Sequence, residues 1–254
     1  MTTEITSTNI LIIGASRGIG FGFVKILLER DKNVNIYATY RQQRTAEELL
    51  SLQQKYPVSL HLLELDITQE EEIANLCQHL KKEISELHLV INCVGILHKG
   101  DLKPEKSLRH INTENLLAYF QVNSIGSVLL AKHLLPLFRH PNPSIFASIS
   151  AKVGSIGDNY LGGWYGYRAS KAALNMFIKT ISIEYKRTCP NVIVVSLHPG
   201  TTDTKLSQPF QKNVPPEKLF SVERTVNQLL NVIGNLTEND SGQFFSWDGS
   251  HLPW

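Results

Sequence analysis

A phenol and an ammonium four residues apart form the chemically telling pair in this sequence. Tyr167 and Lys171 lie in the run Trp164-Tyr-Gly-Tyr-Arg-Ala-Ser-Lys171, which opens a strongly helical stretch. On a helix that spacing puts both side chains on one face, one turn apart. A fixed positive charge beside a tyrosine favours the phenolate, whose ordinary pKa is about 10. Tyr167 is therefore expected to ionise lower than usual and to give or take a proton near neutral pH. Bringing its pKa to about 7 would take about 4 kcal/mol, which one lysine plus a second positive charge can supply. The pair alone is weak evidence. In a chain with 8 tyrosines among 254 residues, chance provides about half a Tyr-x-x-x-Lys match. The rest of the chain has to decide between an acid/base centre and a solvent-facing helix pair.

A second constellation concerns phosphate. Gly14-Ala-Ser16-Arg17-Gly18-Ile19-Gly20 follows an apolar run and opens a helical one, the context a dinucleotide-binding glycine loop requires. Gly14 permits the tight turn, Gly18 the approach of a pyrophosphate, and Gly20 close packing of helix on strand. The spacing is G-x-x-x-G-x-G, and the first helical N–H groups would face the anion. At the end of the second strand an acidic residue would bind a ribose 2′-OH. The chain instead reads Tyr37-Ala-Thr-Tyr40-Arg41. Arg41, joined by Arg17, suits a 2′-phosphate, so NADP is expected over NAD. The bland alternative is that Arg41 and Arg44 begin a solvated loop.

These groups need a frame. Short β-branched runs alternate with amphipathic stretches along the whole chain. Strands are expected at Asn9–Ile13, Val34–Thr39, Ser59–Leu65, Leu87–Cys93, Ser144–Ser150, Asn191–Leu197 and Gln243–Phe245. Helices are expected at Ile19–Arg30, Thr45–Lys55, Gln69–Ile84, Thr113–Phe138, Tyr165–Arg187 and Val222–Ile233. This rhythm predicts an α/β fold. It is a single doubly wound, Rossmann-type domain over residues 1–254, with about seven parallel strands and helices on both faces. Gly95–His110 and the proline-bearing Thr201–Phe220 read as loops, the second long enough for a lid.

Composition narrows the class. The net charge of +2 argues for no nucleic-acid or membrane partner. No apolar run is long enough for a membrane span, and the polar start Met1–Asn9 has no signal-peptide core. A cytoplasmic protein is expected. Cys77, Cys93 and Cys189 are scattered and lack a C-x-x-C, which points away from a disulfide framework or a metal site.

Glycine loop, Tyr-x-x-x-Lys and alternating pattern together resemble the short-chain dehydrogenase/reductase family over nearly the whole chain. Asp66, with Ile67 after it, resembles the family's aspartate at the adenine. Asn92-Cys-Val94-Gly95 is similar to its Asn-Asn-Ala-Gly run beside the adenine ribose. Asn123 matches the helix-borne asparagine of its proton relay. Pro199-Gly200-Thr-Thr202-Asp-Thr204 resembles its segment around the nicotinamide and phosphates. The family serine falls three residues before a glycine. Counting back from Gly154 gives Ala151, with Ser150 adjacent, Ser148 before it and Ser155 after; Ser150 is the expected substitute. The stretch Ala151–Lys171 and the ending Trp247–Trp254 look like the branch of C-factor-like proteins and sniffer-type carbonyl reductases.

The resemblance implies NADPH-dependent reduction of a small carbonyl compound, or the reverse oxidation of an alcohol. Tyr167 would serve as acid/base, Lys171 would tune it and hold the nicotinamide ribose, and Asn123 and Ser150 would assist. The alternative from another class is a dinucleotide-binding signalling protein with weak turnover. In the family, helices like Thr113–Phe138 and Tyr165–Arg187 often form a homodimer interface; a monomer in which they only cover the sheet is the other reading. Ile96, Leu97, Val153, Ile156, Leu161, Trp164 and Phe210 are candidates for an apolar cleft, with His98 and Asp158 as polar contacts.

Overall fold

A computed structural model describes residues 7–254; most of the polar start, residues 1–6, lies outside the described residues. Seven strands form one parallel sheet: β1 (Thr8–Ile13), β2 (Val34–Tyr40), β3 (Leu60–Glu64), β4 (Leu89–Asn92), β5 (Ser144–Ile149), β6 (Val192–His198) and, after a two-residue pair, β9 (Phe244–Ser246). Their order is β3-β2-β1-β4-β5-β6-β9. The order reverses between β1 and β4, which opens a crevice at their carboxyl ends, where such sheets hold ligands.

Both faces are covered, which explains the unbroken apolar runs. Successive strand residues point to opposite sides. Leu11 and Ile13 enter one core layer, with Ile73 and Leu80 of α3 (Glu70–Glu83), Leu130 of α5 (Gly126–Leu134) and Leu174 of α6 (Tyr165–Thr188). Ile10 and Ile12 enter the other. There they meet Phe23 of α1 (Gly18–Arg30), Leu49 of α2 (Glu47–Lys55) and Leu229 of α7 (Val222–Gly234).

Two elements differ from expectation. Thr113–Phe138 is not one uniform helix: α4 (Thr113–Phe120) passes through a π turn at Gln121–Ile125 into α5, and a 3₁₀ turn ends it at Leu135–Phe138. Ser124 Oγ donates to the Phe120 carbonyl (2.8 Å) inside the π turn, a local competitor of the helical ladder. The Thr201–Phe220 loop is zipped at its base. β7 (Thr201–Thr202) pairs in parallel with β8 (Leu219–Phe220). Among the described residues no helix is long and apolar enough to cross a membrane. No group of three or more His, Cys, Asp or Glu side chains among them could hold a metal ion. Cys77 and Cys189 are buried, Cys93 is half-buried, and all three are free thiols.

Candidate active site

The glycine loop is built to receive an anion. The chain turns at Gly14 (φ 80°), where a Cβ would lie 2.7 Å from Val94 Cγ2. Thr39 holds the turn. Its Oγ1 accepts the Gly14 N–H at 3.0 Å and its carbonyl accepts the Ala15 N–H at 2.7 Å. A Cβ on Gly20 would strike the Gly14 carbonyl oxygen, so helix and loop touch backbone to backbone. The N-cap Arg17 offers no side-chain cap, and the first turn of α1 has no acidic residue. The positive helix end is therefore left to a ligand, and the cradle fits a pyrophosphate. Ser16 and Ile19 are half-buried in this loop, whereas Arg17 and Arg41 are exposed at its rim.

The other expected cofactor residues divide into two groups. Asn92 Oδ1 accepts the Val94 N–H at 3.1 Å and so folds the end of β4. Asp66 Oδ1 is engaged by Thr68, at 3.0 Å to its N–H and 2.7 Å to its hydroxyl. Thr204 leans over the glycine loop, its Cγ2 3.3 Å from where a Gly18 Cβ would be. Ile67 turns its side chain into the core against Gly126. Thr202 spends its hydroxyl on Thr225 (2.8 Å). These two offer a ligand only backbone. Gly200 (φ 70°), after the buried Pro199, lies under Phe220 and Trp247.

α6 brings Tyr167 and Lys171 to the carboxyl end of the sheet, both buried. Lys171 Nζ donates to the Ile149 carbonyl at 2.9 Å. A Cβ on Gly95 would lie 3.4 Å from both Lys171 Nζ and Asn123 Oδ1, so both border the turn that follows β4. Asn123 sits in the π turn. Its Oδ1 accepts the Ile96 N–H (2.7 Å), and its Nδ2 donates to the Ile96 carbonyl and Ser170 Oγ, both at 3.0 Å. The expected lowering of Tyr167 is not seen. Burial pushes its phenol above the usual range, because the Lys171 ammonium is turned to the Ile149 carbonyl and to the side of Cys93. Burial also brings Lys171 down to about 8. The phenol stays protonated at neutral pH.

The expectation for Ser150 is corrected. β5 alternates, and Phe146 lies in the core layer under α3, α5 and α6. Ser148 and Ser150 share its parity. Ser148 Oγ pairs with Ser127 Oγ of α5 (3.0 Å), and Ser150 Oγ donates to Asn175 Oδ1 of α6 (2.7 Å). Ser155 is also committed: its Oγ accepts the Asp158 N–H at 3.1 Å and lies 3.3 Å from the Trp254 carbonyl. Ala151, just past the end of β5, packs against the apolar cluster that includes Tyr167 and brings a methyl group where a serine would bring a hydroxyl.

Around Tyr167 lies an apolar cluster that takes in Leu97, Ile96, Val153, Trp164 and Phe210. Trp164 stands edge-on to Phe210 (5.0 Å) and to Tyr167 (6.2 Å). It is the only non-glycine residue at positive φ (51°) among the described residues, a conformation that costs a bulky side chain about 1–2 kcal/mol. His98 Nε2 lies 3.1 Å from the Lys205 carbonyl and edge-on to Phe210. Ile156 and Leu161 do not join the cluster: they are 78% and 92% exposed. Asp158 is drawn to Lys152 (3.5 Å). A cavity of about 410 Å³ behind this loop, lined in part by Ile156, Tyr165 and Arg168, does not reach Tyr167.

Three supporting residues escaped the sequence reading. Thr39 is a buried threonine in an apolar strand, its only signal being that polarity. His198 accepts the Lys152 N–H on Nδ1 (3.2 Å), and burial lowers it to about 4, so it stays neutral and steadies the turn that carries Ala151. Glu105 left no pattern at all.

The sequence model for short chain dehydrogenases matches residues 8–215. The chain is 27% identical to an uncharacterized oxidoreductase of Schizosaccharomyces pombe over 96% of both chains. It is 30% identical to a benzil reductase ((S)-benzoin forming) of Saccharomyces cerevisiae, over 82% of this chain and 76% of that one. Among solved structures, the carbonyl reductase Sniffer of D. melanogaster matches with a TM-score of 0.86 and 28% identity, over 98% of this chain and all of the other. The NADPH-bound carbonyl reductase from chicken fatty liver matches with a TM-score of 0.87 and 29% identity over the same shares.

Proposed function

We propose, because this chain belongs to the short-chain dehydrogenase family, that it is an NADPH-dependent reductase of small carbonyl compounds with Tyr167 as its acid. The observation that carries the reading is one helix face. It presents a buried phenol and a buried amine at the carboxyl end of the sheet, beside a glycine loop open to an anion. The glycine loop and Asn92–Gly95 would hold the dinucleotide, and NADPH supplies the hydride when bound. Tyr167 gives a proton to the carbonyl oxygen; a phenol kept protonated by burial suits that direction. Lys171 and Asn123, which both lie against Gly95, orient the ribose side and reconnect the phenol to solvent. The likeness to carbonyl reductases supports this substrate class. The test is oxidation of NADPH by the purified chain with benzaldehyde, benzil and menadione. Absence of turnover on all three, despite tight NADPH binding, would favour the regulatory reading instead.

Two further outcomes are expected. Arg41→Ala should raise the NADPH Kd by about tenfold or more while changing the NADH Kd by less than about threefold, since a guanidinium pairs with the 2′-phosphate alone. Fluorescence titration with both cofactors checks it, and equal losses would refute the NADP preference. Ala151→Ser should raise kcat by about tenfold. It adds a hydroxyl donor beside Tyr167, and one such donor is worth about 10²–10³ where its geometry is ideal. An unchanged kcat in stopped-flow reduction would show that the added hydroxyl does not reach the carbonyl oxygen. The alternative of a dinucleotide-binding regulatory protein draws its support from the methyl group at this position.

A further inference from the structure

The first turn of α6 has no cap of its own. Trp164, its N-cap, makes no side-chain hydrogen bond, and no acidic residue lies in the first turn. A helix start with unsatisfied N–H groups inside a protein needs an acceptor from elsewhere. One residue supplies it twice. The Glu105 carbonyl accepts the Trp164 N–H, and Glu105 Oε2 accepts the Gly166 N–H at 3.1 Å. Glu105 is 2% exposed, in a segment held down by Leu97, Leu102 and Pro104. Its other oxygen, Oε1, is buried without a hydrogen-bond partner. A buried carboxylate left half-unpaired is a costly way to fasten a loop, so its benefit must lie in what Oε2 and the carbonyl hold.

What they hold is the geometry around Tyr167. Gly162 (φ 64°), Gly163 (φ 65°) and Trp164 (φ 51°) form three successive left-handed residues, and the bond to Glu105 keeps the last of them there. A Cβ on Gly166 would lie 2.9 Å from Glu105 Oε1 and press into the Tyr119 ring, so carboxylate, glycine and Tyr119 close on one point. Tyr119, whose hydroxyl donates to the Leu97 carbonyl (2.7 Å), stands edge-on to Tyr167 at 6.2 Å. Trp164 also stands edge-on to that ring, at 6.2 Å.

We infer that Glu105 is a positioning residue for the acid/base helix, capping α6 from a separate loop and thereby fixing Tyr167 against Tyr119 and Trp164. It touches neither substrate nor cofactor. The assignment rests on the reading of Tyr167 as the acid. A displacement of about 1 Å can cost about 10²-fold in rate, so the effect should appear in kcat and not in cofactor affinity.

The test compares Glu105→Gln, Glu105→Asp and Glu105→Ala in the full chain, with benzil and NADPH, alongside Tyr167→Phe. Gln keeps an acceptor at the same reach without charge; Asp keeps the charge but falls short of Gly166. Asp and Ala should lower kcat by about 30-fold, with the NADPH Kd within about threefold of the parent. Gln should restore kcat to within about threefold. If Ala does not fold, the Asp and Gln pair decides. The inference is overturned if Asp retains full kcat, if Gln is as impaired as Asp, or if NADPH affinity falls in step with kcat. Turnover that does not depend on Tyr167 overturns the functional reading and this assignment with it. Turnover that depends on Tyr167 but not on Glu105 overturns this assignment alone.

Discussion

Tyr167→Phe should cut kcat for carbonyl reduction by about a thousandfold while leaving the fold and NADPH affinity in place. The change removes one oxygen. The ring contacts that seat the side chain, edge-on to Tyr119 and Trp164 at 6.2 Å each, are available to phenylalanine as well. Removing a positioned proton donor costs about 10²–10⁴ in rate, and Ala151, packed against the same cluster, has no hydroxyl with which to take over. The loss should therefore sit towards the upper part of that range. With the phenol acting on the forming alkoxide, as proposed above, kcat and kcat/KM should fall together. Single-turnover reduction of benzil followed by NADPH absorbance, with cofactor binding measured separately, gives the answer. Residual turnover above about a tenth of the parent's would mean that another group supplies the proton.

The sheet was readable because parallel strands covered on both faces must be apolar at every position. β1 shows the reason: Ile10 and Ile12 go one way, Leu11 and Ile13 the other. The helix with Tyr167 and Lys171 was readable from spacing, since i and i+4 share a face whatever surrounds them. What escaped depends on contacts far apart in the chain. Glu105 reaches Gly166 across 61 positions, and no local pattern announces a cap supplied from another loop. Thr39 acts on the glycine loop from the neighbouring strand in the same way. The π turn around Asn123 adds no period that composition reveals. The correction over Ser150 has a similar cause. Period two along β5 gives Ser148 and Ser150 one face, and the partners of that face are Ser127 and Asn175. Asn175 shares α6 with Tyr167 and Lys171, so parity alone leaves Ser150 open, and only its bond to Asn175 sets it aside.

The tyrosine's ionisation was misjudged for a related reason. Spacing places an ammonium on the right helix face but does not say where its nitrogen ends. Lys171 Nζ is drawn to the Ile149 carbonyl, so burial acts on the phenol unopposed and raises it. Burial thus acts on the phenol and the amine as two separately desolvated groups.

Lys171→Met should trade activity for stability, with a pH signature that reveals the cause. Lys171 is 3% exposed, and burial lowers its pKa from 10.5 to about 8. Below about pH 8 the folded chain carries a desolvated ammonium that the unfolded chain keeps in water, a penalty of about 3 kcal/mol. Between about pH 8 and 10.5 the folded state has released the proton while the unfolded state still binds it. The unfolded state then holds more protons, so this residue's contribution to stability rises with pH until the penalty is gone. Methionine fills much of the same volume without a charge but leaves the Ile149 carbonyl unpaired, which costs about 1–3 kcal/mol. Near about pH 7 the variant should therefore be more stable than the parent by about 1 kcal/mol, and near about pH 10 less stable by about the same amount. Its kcat should be lower by about 100-fold or more, since the role proposed for its charge, beside the ribose and in the proton path, is lost. Urea unfolding of both ligand-free proteins at the two pH values checks the crossing. A stability difference independent of pH would mean that Lys171 is not desolvated as the structure places it. If the crossing is found together with the kinetic loss, the buried amine is a strain on the fold that is retained for the chemistry it performs.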